Sequence, residues 1–172
     1  MGKFDLFLKF MPKKGKVLDL GCENWKDTIH FQEIGYDVLA VDRTDELVNN
    51  AKKNGVKKAI KMSHIEEIKY ENEFDGIWAE TSLINASANK LNELLKKCSK
   101  ALKNNGVFYC SFLYGTYHDD KKEEFYRNQT EETILSYLKD TGLVFATVNM
   151  SEDIKKDHID RYVNAVLVKT GA

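Results

Sequence analysis

The sequence predicts an α/β three-layer sandwich built on one mainly parallel sheet, and two observations carry that expectation. Short apolar runs rich in Val and Ile alternate with segments of helical periodicity along the chain. The last two apolar runs then follow each other with no helix-length pattern between them. Alternating strand and helix units give parallel strands covered on both faces, while a terminal strand pair leaves one antiparallel strand near the C-terminus. No repeat, low-complexity tract or linker interrupts the pattern, so residues 1–172 read as a single domain of common size.

The elements follow in order. Residues 1–11 (MGKFDLFLKFM) break an apolar series with Lys3, Asp5 and Lys9. That rules out a signal-peptide core, and Leu6 breaks the myristoylation pattern, so an amphipathic helix docked on the domain is expected. The first strand is Lys16–Leu20 (KVLDL), entered through Pro12 and Gly15 and left at Gly21. A helix follows at about 27–34, with Asp27 as N-cap and Gly35 as stop. The second strand, 37–41 (DVLAV), ends at Asp42. Thr44, Asp45 and Glu46 open the next helix in the sense the macrodipole favours, and Gly55 closes it. Residues 56–62 form the third strand and Phe74–Ala79 (FDGIWA) the fourth. Leu91, Leu94, Leu95, Cys98, Ala101 and Leu102 then make one apolar helical stripe.

The fifth strand, 106–113, is entered through the turn signal Asn104-Asn105-Gly106. Thr130 with Glu131 and Glu132 starts a helix that Gly142 ends, and 143–150 and 161–169 close the chain as strands. The fourth and fifth strands carry the most continuous apolar runs. They belong inside the sheet, with Ile77, Val107 and Phe108 or Tyr109 buried and 164–168 inserted beside the fifth strand.

Composition bounds the function. The 26 basic and 27 acidic residues give a net charge of -1, without the basic excess of a nucleic-acid or membrane-surface binder. No stretch approaches the ~20 apolar residues that span a bilayer, and the three cysteines, Cys22, Cys98 and Cys110, read as reduced thiols of a cytoplasmic protein. His30, His64, His118 and His158 show no metal-ligand spacing, so no metal is expected.

In open α/β sheets ligands bind beyond the carboxyl ends of the strands. Those ends present Asp19, Gly21, Cys22, Glu23, Asn24 and Trp25; Asp42 and Arg43; Ser63 and His64; Ala79, Glu80 and Thr81; and Ser111, Tyr114 and Gly115. Asp42, about 20 residues past the first turn, is placed to accept hydrogen bonds from ribose hydroxyls; the alternative is a cap onto Thr44–Glu46. His64 is either a base or a capped loop residue. No G-x-G-x-x-G and no G-x-x-x-x-G-K follows the first strand, so neither a dinucleotide fingerprint nor that type of phosphate-binding loop is present.

The motifs at 17–22 (VLDLGC), 35–42 (GYDVLAVD), 74–84 (FDGIWAETSLI), 101–106 and 108–115 (FYCSFLYG) resemble the class I S-adenosylmethionine-dependent methyltransferases. Within them they resemble the small tellurite-resistance-type branch. The similarity runs from about Pro12 to the end, through Thr130-Glu131-Glu132, Gly142 and the closing strand. It implies a Rossmann-like fold with a seven-stranded sheet, S-adenosylmethionine as cofactor and a small-molecule acceptor.

By that resemblance Asp19 supports the first loop, and Gly21, with Cys22 beside it, lies against the methionine part. Asp42 holds the ribose, Arg43 flanks the adenine, Ser63 and His64 edge the same pocket, and the Ala79 backbone meets the amino-acid end. Glu80, Thr81 and Ser82, with Tyr114, face the acceptor. In-line methyl transfer depends chiefly on proximity and orientation, and no catalytic triad is expected.

The pattern breaks where Glu23 and Trp25 replace the second and third loop glycines. Glu23 brings a carboxylate towards that of the cofactor, at a cost of about 1–4 kcal/mol at ~4 Å, and Trp25 seeks burial in the nearest apolar cavity. Ser63 replaces an acidic residue, Asn85 a histidine, and the segment before the first strand is short for an N-terminal lid; Tyr114, Tyr117 and Tyr126 offer a substitute. Three readings stand. One is an active methyltransferase. The second is a retired one, its pocket blocked by Glu23 and Trp25, serving as a binding or regulatory module. The third is an enzyme that uses the pocket for another nucleotide-like ligand.

Overall fold

The computed structural model describes residues 2–21, 25–80, 82–83, 86, 88–115, 118–119 and 126–171, with backbone alone at 88–89, 118–119 and 126–127. Along the chain these residues form α1 (Lys3–Leu8), β1 (Lys16–Leu20), α2 (Trp25–Glu33), β2 (Asp37–Asp42), α3 (Asp45–Lys53), β3 (Ala59–Lys61) and β4 (Phe74–Ala79). They continue with α4 (Ala88–Ala101), β5 (Leu102–Leu113), β6 (His118–Asp119), β7 (Tyr126–Arg127), α5 (Glu131–Tyr137), β8 (Leu143–Ile154) and β9 (Ile159–Lys169). Seven strands make one sheet in the order β3-β2-β1-β4-β5-β9-β8, and β6 pairs with β7 apart from it.

The sheet is the one the sequence predicts: β9 alone runs against its neighbours, paired antiparallel to β5 and to β8. Its residues 164–168 lie against 107–111 of β5. β4 and β5 are interior, and Ile77, Val107, Phe108 and Tyr109 are buried. Continuous burial of β1 and β4 follows from helices on both faces, which leave a parallel strand no solvent side.

Two apolar layers flank the central strands. Leu91, Leu94, Leu95 and Cys98 of α4 join Ile134 and Leu138 against one face. On the other, α1 docks as expected, placing Phe7 in a cluster with Phe31, Trp78 and Tyr109. Trp78 is the centre of this layer: Tyr109 stacks on it at 4.0 Å and Phe4 at 5.1 Å, while Phe31 meets it edge-on. Gly76 makes the close docking possible, since a Cβ there would come within 2.6 Å of Met11 Sδ and Phe7 Cζ.

Local differences from the sequence expectation have local causes. β3 is shorter than 56–62, because Val56, just after Gly55, turns into the core beside α3 instead of joining the sheet. The Asn104-Asn105-Gly106 turn is absorbed as a bulge in β5: Phe74 pairs with Leu102 and Gly76 with Val107, and Asn105 takes φ 66°. Helix α2 begins at Trp25, so Asp27 is a buried first-turn residue and not its N-cap. Thr44 caps α3 and Thr130 caps α5, each accepting from the amide three residues on. The closing strands are longer than expected, and their hairpin, paired to Ile154–Ile159, passes beyond the Leu113–Tyr162 end of the β5–β9 pairing. Among the described residues no helix is long and apolar enough to cross a membrane.

Candidate functional site

Two cavities open at the carboxyl end of the sheet, one on each side of the β1–β4 junction. The first, of about 470 Å³, has an apolar floor of Leu20, Val41, Met62, Leu83 and Leu94. Its rim carries Gly21, Asp42, Arg43, Ser63, His64 and Glu66, with Glu80 and Ser82 on the β4 side. Asp42 is the last residue of β2 and is 7% exposed. Its Oδ1 accepts from the Arg43 amide at 2.7 Å, while Oδ2 is buried with no partner among the described residues. The capping alternative for Asp42 fails, because Thr44 Oγ1 takes the Leu47 amide at 3.2 Å. A buried acceptor left unsatisfied costs about 1–3 kcal/mol, so Oδ2 calls for a donor from a ligand.

Gly21 ends β1 and borders both cavities. Its φ is +104° and its amide donates to the Val41 carbonyl at 2.9 Å. The Ser82 hydroxyl donates to the Leu20 carbonyl beside it. These bonds tie the ends of β1, β2 and the segment after β4 into one rigid corner. His64 is exposed, and its amide donates to Glu67 Oε1 at 3.2 Å.

The second cavity, of about 600 Å³, lies over β4, β5 and the projecting hairpin. Its depth is carboxyl-rich: Asp19 of β1, Asp27 of α2 and Glu80 after β4 all line it. Asp19 is 2% exposed and accepts from Thr28 Oγ1 at 2.6 Å through Oδ2. Trp78 Nε1 donates to Asp27 at 3.1 Å. Lys3 of α1 spans Glu80, at 2.6 and 2.7 Å from its two oxygens, and stands 3.7 Å from Asp27. On the far side Asn164 receives from Tyr109 Oη at 3.2 Å and donates to Asn149 and Ser151 at 3.0 and 2.9 Å.

Burial sets the protonation of this group. Burial pushes the Asp19 carboxyl up to about 8, against the pull of its Thr28 hydrogen bond. Burial likewise pushes Asp27 up to about 7, helped by a hydrogen bond shared with Glu80. For Glu80 burial acts upward too, but the Asp27 hydrogen bond and Lys3 outweigh it and hold the carboxyl below its usual range. Asp27 and Glu80 are thus a proton-sharing pair.

The structure brings Gly21, Asp42, Arg43, Ser63, His64, Glu80 and Ser82 to the first cavity. Asp19 lies on the second, and Glu80 on both. Ala79 is buried in β4 and lines neither. Tyr114 is a correction: it is 45% exposed and lines neither cavity, standing at the end of the β5–β9 pairing where its amide donates to the Arg161 carbonyl at 2.8 Å. Cys22, Glu23, Thr81, Asn85 and Tyr117 lie outside the described residues, as does the Tyr126 side chain.

Trp25 is the second correction. It does not fill the first cavity; as the opening residue of α2 it packs with Ile29 over Ala40, Val48, Ala51, Val56 and Ala59. The small residues of β2, α3 and β3 give the indole an apolar seat apart from the first cavity. Sequence reasoning missed Lys3, Asp27, Trp78, Tyr109, Asn149 and Asn164 as site residues. Their one shared signal is polarity within otherwise apolar segments.

A family model described as a methyltransferase domain matches residues 18–110, more than half of the chain. No curated protein matches the sequence. Among solved structures, a S-adenosylmethionine-dependent methyltransferase from Methanosarcina mazei is similar at TM-score 0.82 and 13% identity, over 97% of this chain and 98% of that one. A protein from Listeria monocytogenes described as an S-adenosylmethionine-dependent methyltransferase superposes at TM-score 0.75 and 17% identity over 98% of both chains. The 1,6-didemethyltoxoflavin-N1-methyltransferase of Burkholderia thailandensis, solved with 1,6-didemethyltoxoflavin and S-adenosylhomocysteine, does so at TM-score 0.75 and 21% identity over 97% of this chain and 75% of that one. The fold is shared across all three, and the matched sequence model makes the chain a member of the methyltransferase-domain family.

Proposed function

We propose that the chain is an active S-adenosylmethionine-dependent methyltransferase, a single cytoplasmic domain over residues 1–172 that modifies a small molecule, in the tellurite-resistance-type branch its motifs resemble. The observation that carries the reading is Asp42. Its Oδ2, buried at the end of β2 and without a partner among the described residues, suits a ribose hydroxyl donor, and the apolar floor beside it suits a purine. Asp42 holds the ribose, Arg43, Ser63 and His64 edge the base, and Gly21, with Cys22 following, leaves room for the amino-acid end. Asp19 and the Ala79 backbone support that end, and Glu80 and Ser82, with Thr81 between them in sequence, belong to the acceptor side. When bound, the cofactor supplies a methyl group on a sulfonium. The protein's own contribution is to position the acceptor in line with it and to keep water away.

The blocked-pocket reading has lost the Trp25 plug on which it leaned. Calorimetric titration with S-adenosylhomocysteine tests the proposal: saturable one-to-one binding is expected, with the native state stabilised by about 2.7 kcal/mol at 100 times the dissociation constant. A flat titration to millimolar concentrations rejects it.

A further inference from the structure

The second cavity is absorbed only in part by the cofactor reading. Gly21 and Glu80 are the residues it shares with the first, so its contents meet the nucleoside side at one narrow junction. Its volume of about 600 Å³ holds more than the amino-acid end of a cofactor. Among its described lining the acidic side chains are Asp19, Asp27, Glu80, Glu152 and Asp153, and Lys3 is the one Lys or Arg. That cation is committed, with both Glu80 oxygens within 2.7 Å of its Nζ. Asp19, 2% exposed, accepts from Thr28 Oγ1 at 2.6 Å. With Lys3 held on Glu80, the described lining offers a carboxylate- or phosphate-bearing acceptor no uncommitted Lys or Arg.

The cavity also contains its own example of what it recognises. The primary ammonium of Lys3 is seated on Glu80 and 3.7 Å from Asp27, brought there by α1, a helix of six residues. From this arrangement we infer that the second cavity is the acceptor chamber and that it takes a small amine, whose ammonium binds at Glu80 and Asp27 in competition with Lys3. The inference rests on the cofactor reading and deepens it. Proton sharing between Asp27 and Glu80 lets the pair take up or yield one proton as a cation enters. Tyr109, Ser111 and Asn164 supply the neutral hydrogen-bonding wall for the rest of the molecule.

The test uses the full chain saturated with S-adenosylhomocysteine, whose own binding is measured first. Matched probes (benzylamine, benzyl alcohol and benzoate; propylamine, propanol and propionate) are titrated by ligand-observed NMR. Methyl transfer from labelled S-adenosylmethionine is followed in parallel. The amines are expected to bind at least tenfold tighter than the alcohols, and the carboxylates not at all.

Two variants separate recognition from a structural role because they move in opposite directions. Glu80→Gln weakens the amines tenfold or more, read at a concentration of S-adenosylhomocysteine that saturates the variant itself. Lys3→Met, which vacates the ammonium seat, tightens the amines threefold or more. A merely structural ion pair would weaken binding in both variants, and that result overturns the inference. Carboxylates bound as well as amines, or no amine bound to the loaded protein, also overturn it while leaving the cofactor reading intact. Failure of S-adenosylhomocysteine to bind removes both.

Discussion

The two cavities share a corner but satisfy their polar groups in different ways. In the first, one buried carboxylate, Asp42, keeps an oxygen without a partner among the described residues, above an apolar floor. In the second, Asp19 is tied to Thr28, Asp27 to Trp78 and Glu80 to Lys3, and Asn164 is joined to Tyr109, Asn149 and Ser151. The first cavity thus waits for donors from outside, whereas the second is a network that a ligand must enter by exchange. Affinity should therefore be concentrated in the first and selectivity in the second.

Removing the exposed contrast at Asp42 gives the largest expected effect. Asp42→Ala should weaken S-adenosylhomocysteine by about 1.5–3 kcal/mol, the range for hydrogen bonds to a charged group, as read by calorimetry. It should leave the fold no less stable, because the deleted carboxylate is partly unsatisfied in the free protein. Unchanged affinity would place the ligand elsewhere and dissolve the distinction between the cavities.

The second cavity carries its cost in pH dependence. Asp19 and Asp27 titrate at about 8 and about 7 in the folded chain, well above the ~3.9 of an unfolded aspartate. Between about pH 4 and 8 the folded state therefore binds more protons than the unfolded one, and stability falls as pH rises. Glu80 is shifted the other way, so its contribution is present above its unfolded value and is lost as the pH drops through its lower, folded one. Asp19→Asn keeps an oxygen for Thr28 and removes the penalty. It should stabilise the chain by about 2 kcal/mol at pH 8, with little change at pH 4, in urea unfolding across that range. A slope that stays unchanged would mean that Asp19 is ionised in the fold and that the second cavity is more open to water than its burial indicates.

The same contrast governs what could be read from the sequence. The first cavity is assembled from the last residue or two of successive strands, and each strand end is visible as an apolar run meeting a polar residue. Asp42, Gly21, Ser63 and His64 were legible for that reason, as were the interior places of β4 and β5 and the insertion of 164–168 beside β5. The second cavity joins Lys3, Asp27 and Glu80, spread over 77 residues, with a hairpin that overshoots the sheet. No local period marks such a meeting. Asp27 looked like a cap because an Asp near a helix start usually is one; its burial follows from Trp78 offering a donor 51 residues away. Trp25 misled by its size alone, since the small residues that receive it, Ala40, Ala51 and Ala59, give no sign in sequence of the hollow they make together.

That misplacement yields the last and smallest test. If the indole only covers the hollow formed by α3, β2 and β3, Trp25→Ala removes part of an apolar contact and nothing else. The side chain is half-buried, and Lys26 Nζ stands 6.0 Å from its ring centroid, too weak a contact at an exposed site to matter. The expected loss is about 1 kcal/mol of stability, below the ~1.5–3 kcal/mol for burying a whole large side chain. S-adenosylhomocysteine affinity should stay within twofold. A Trp25 that plugged the cofactor cavity would behave in the opposite way, since its removal would free the site and raise affinity tenfold or more. Denaturation and calorimetry on one variant therefore read both quantities, and affinity unchanged at a small cost in stability leaves the first cavity open and the enzyme reading standing.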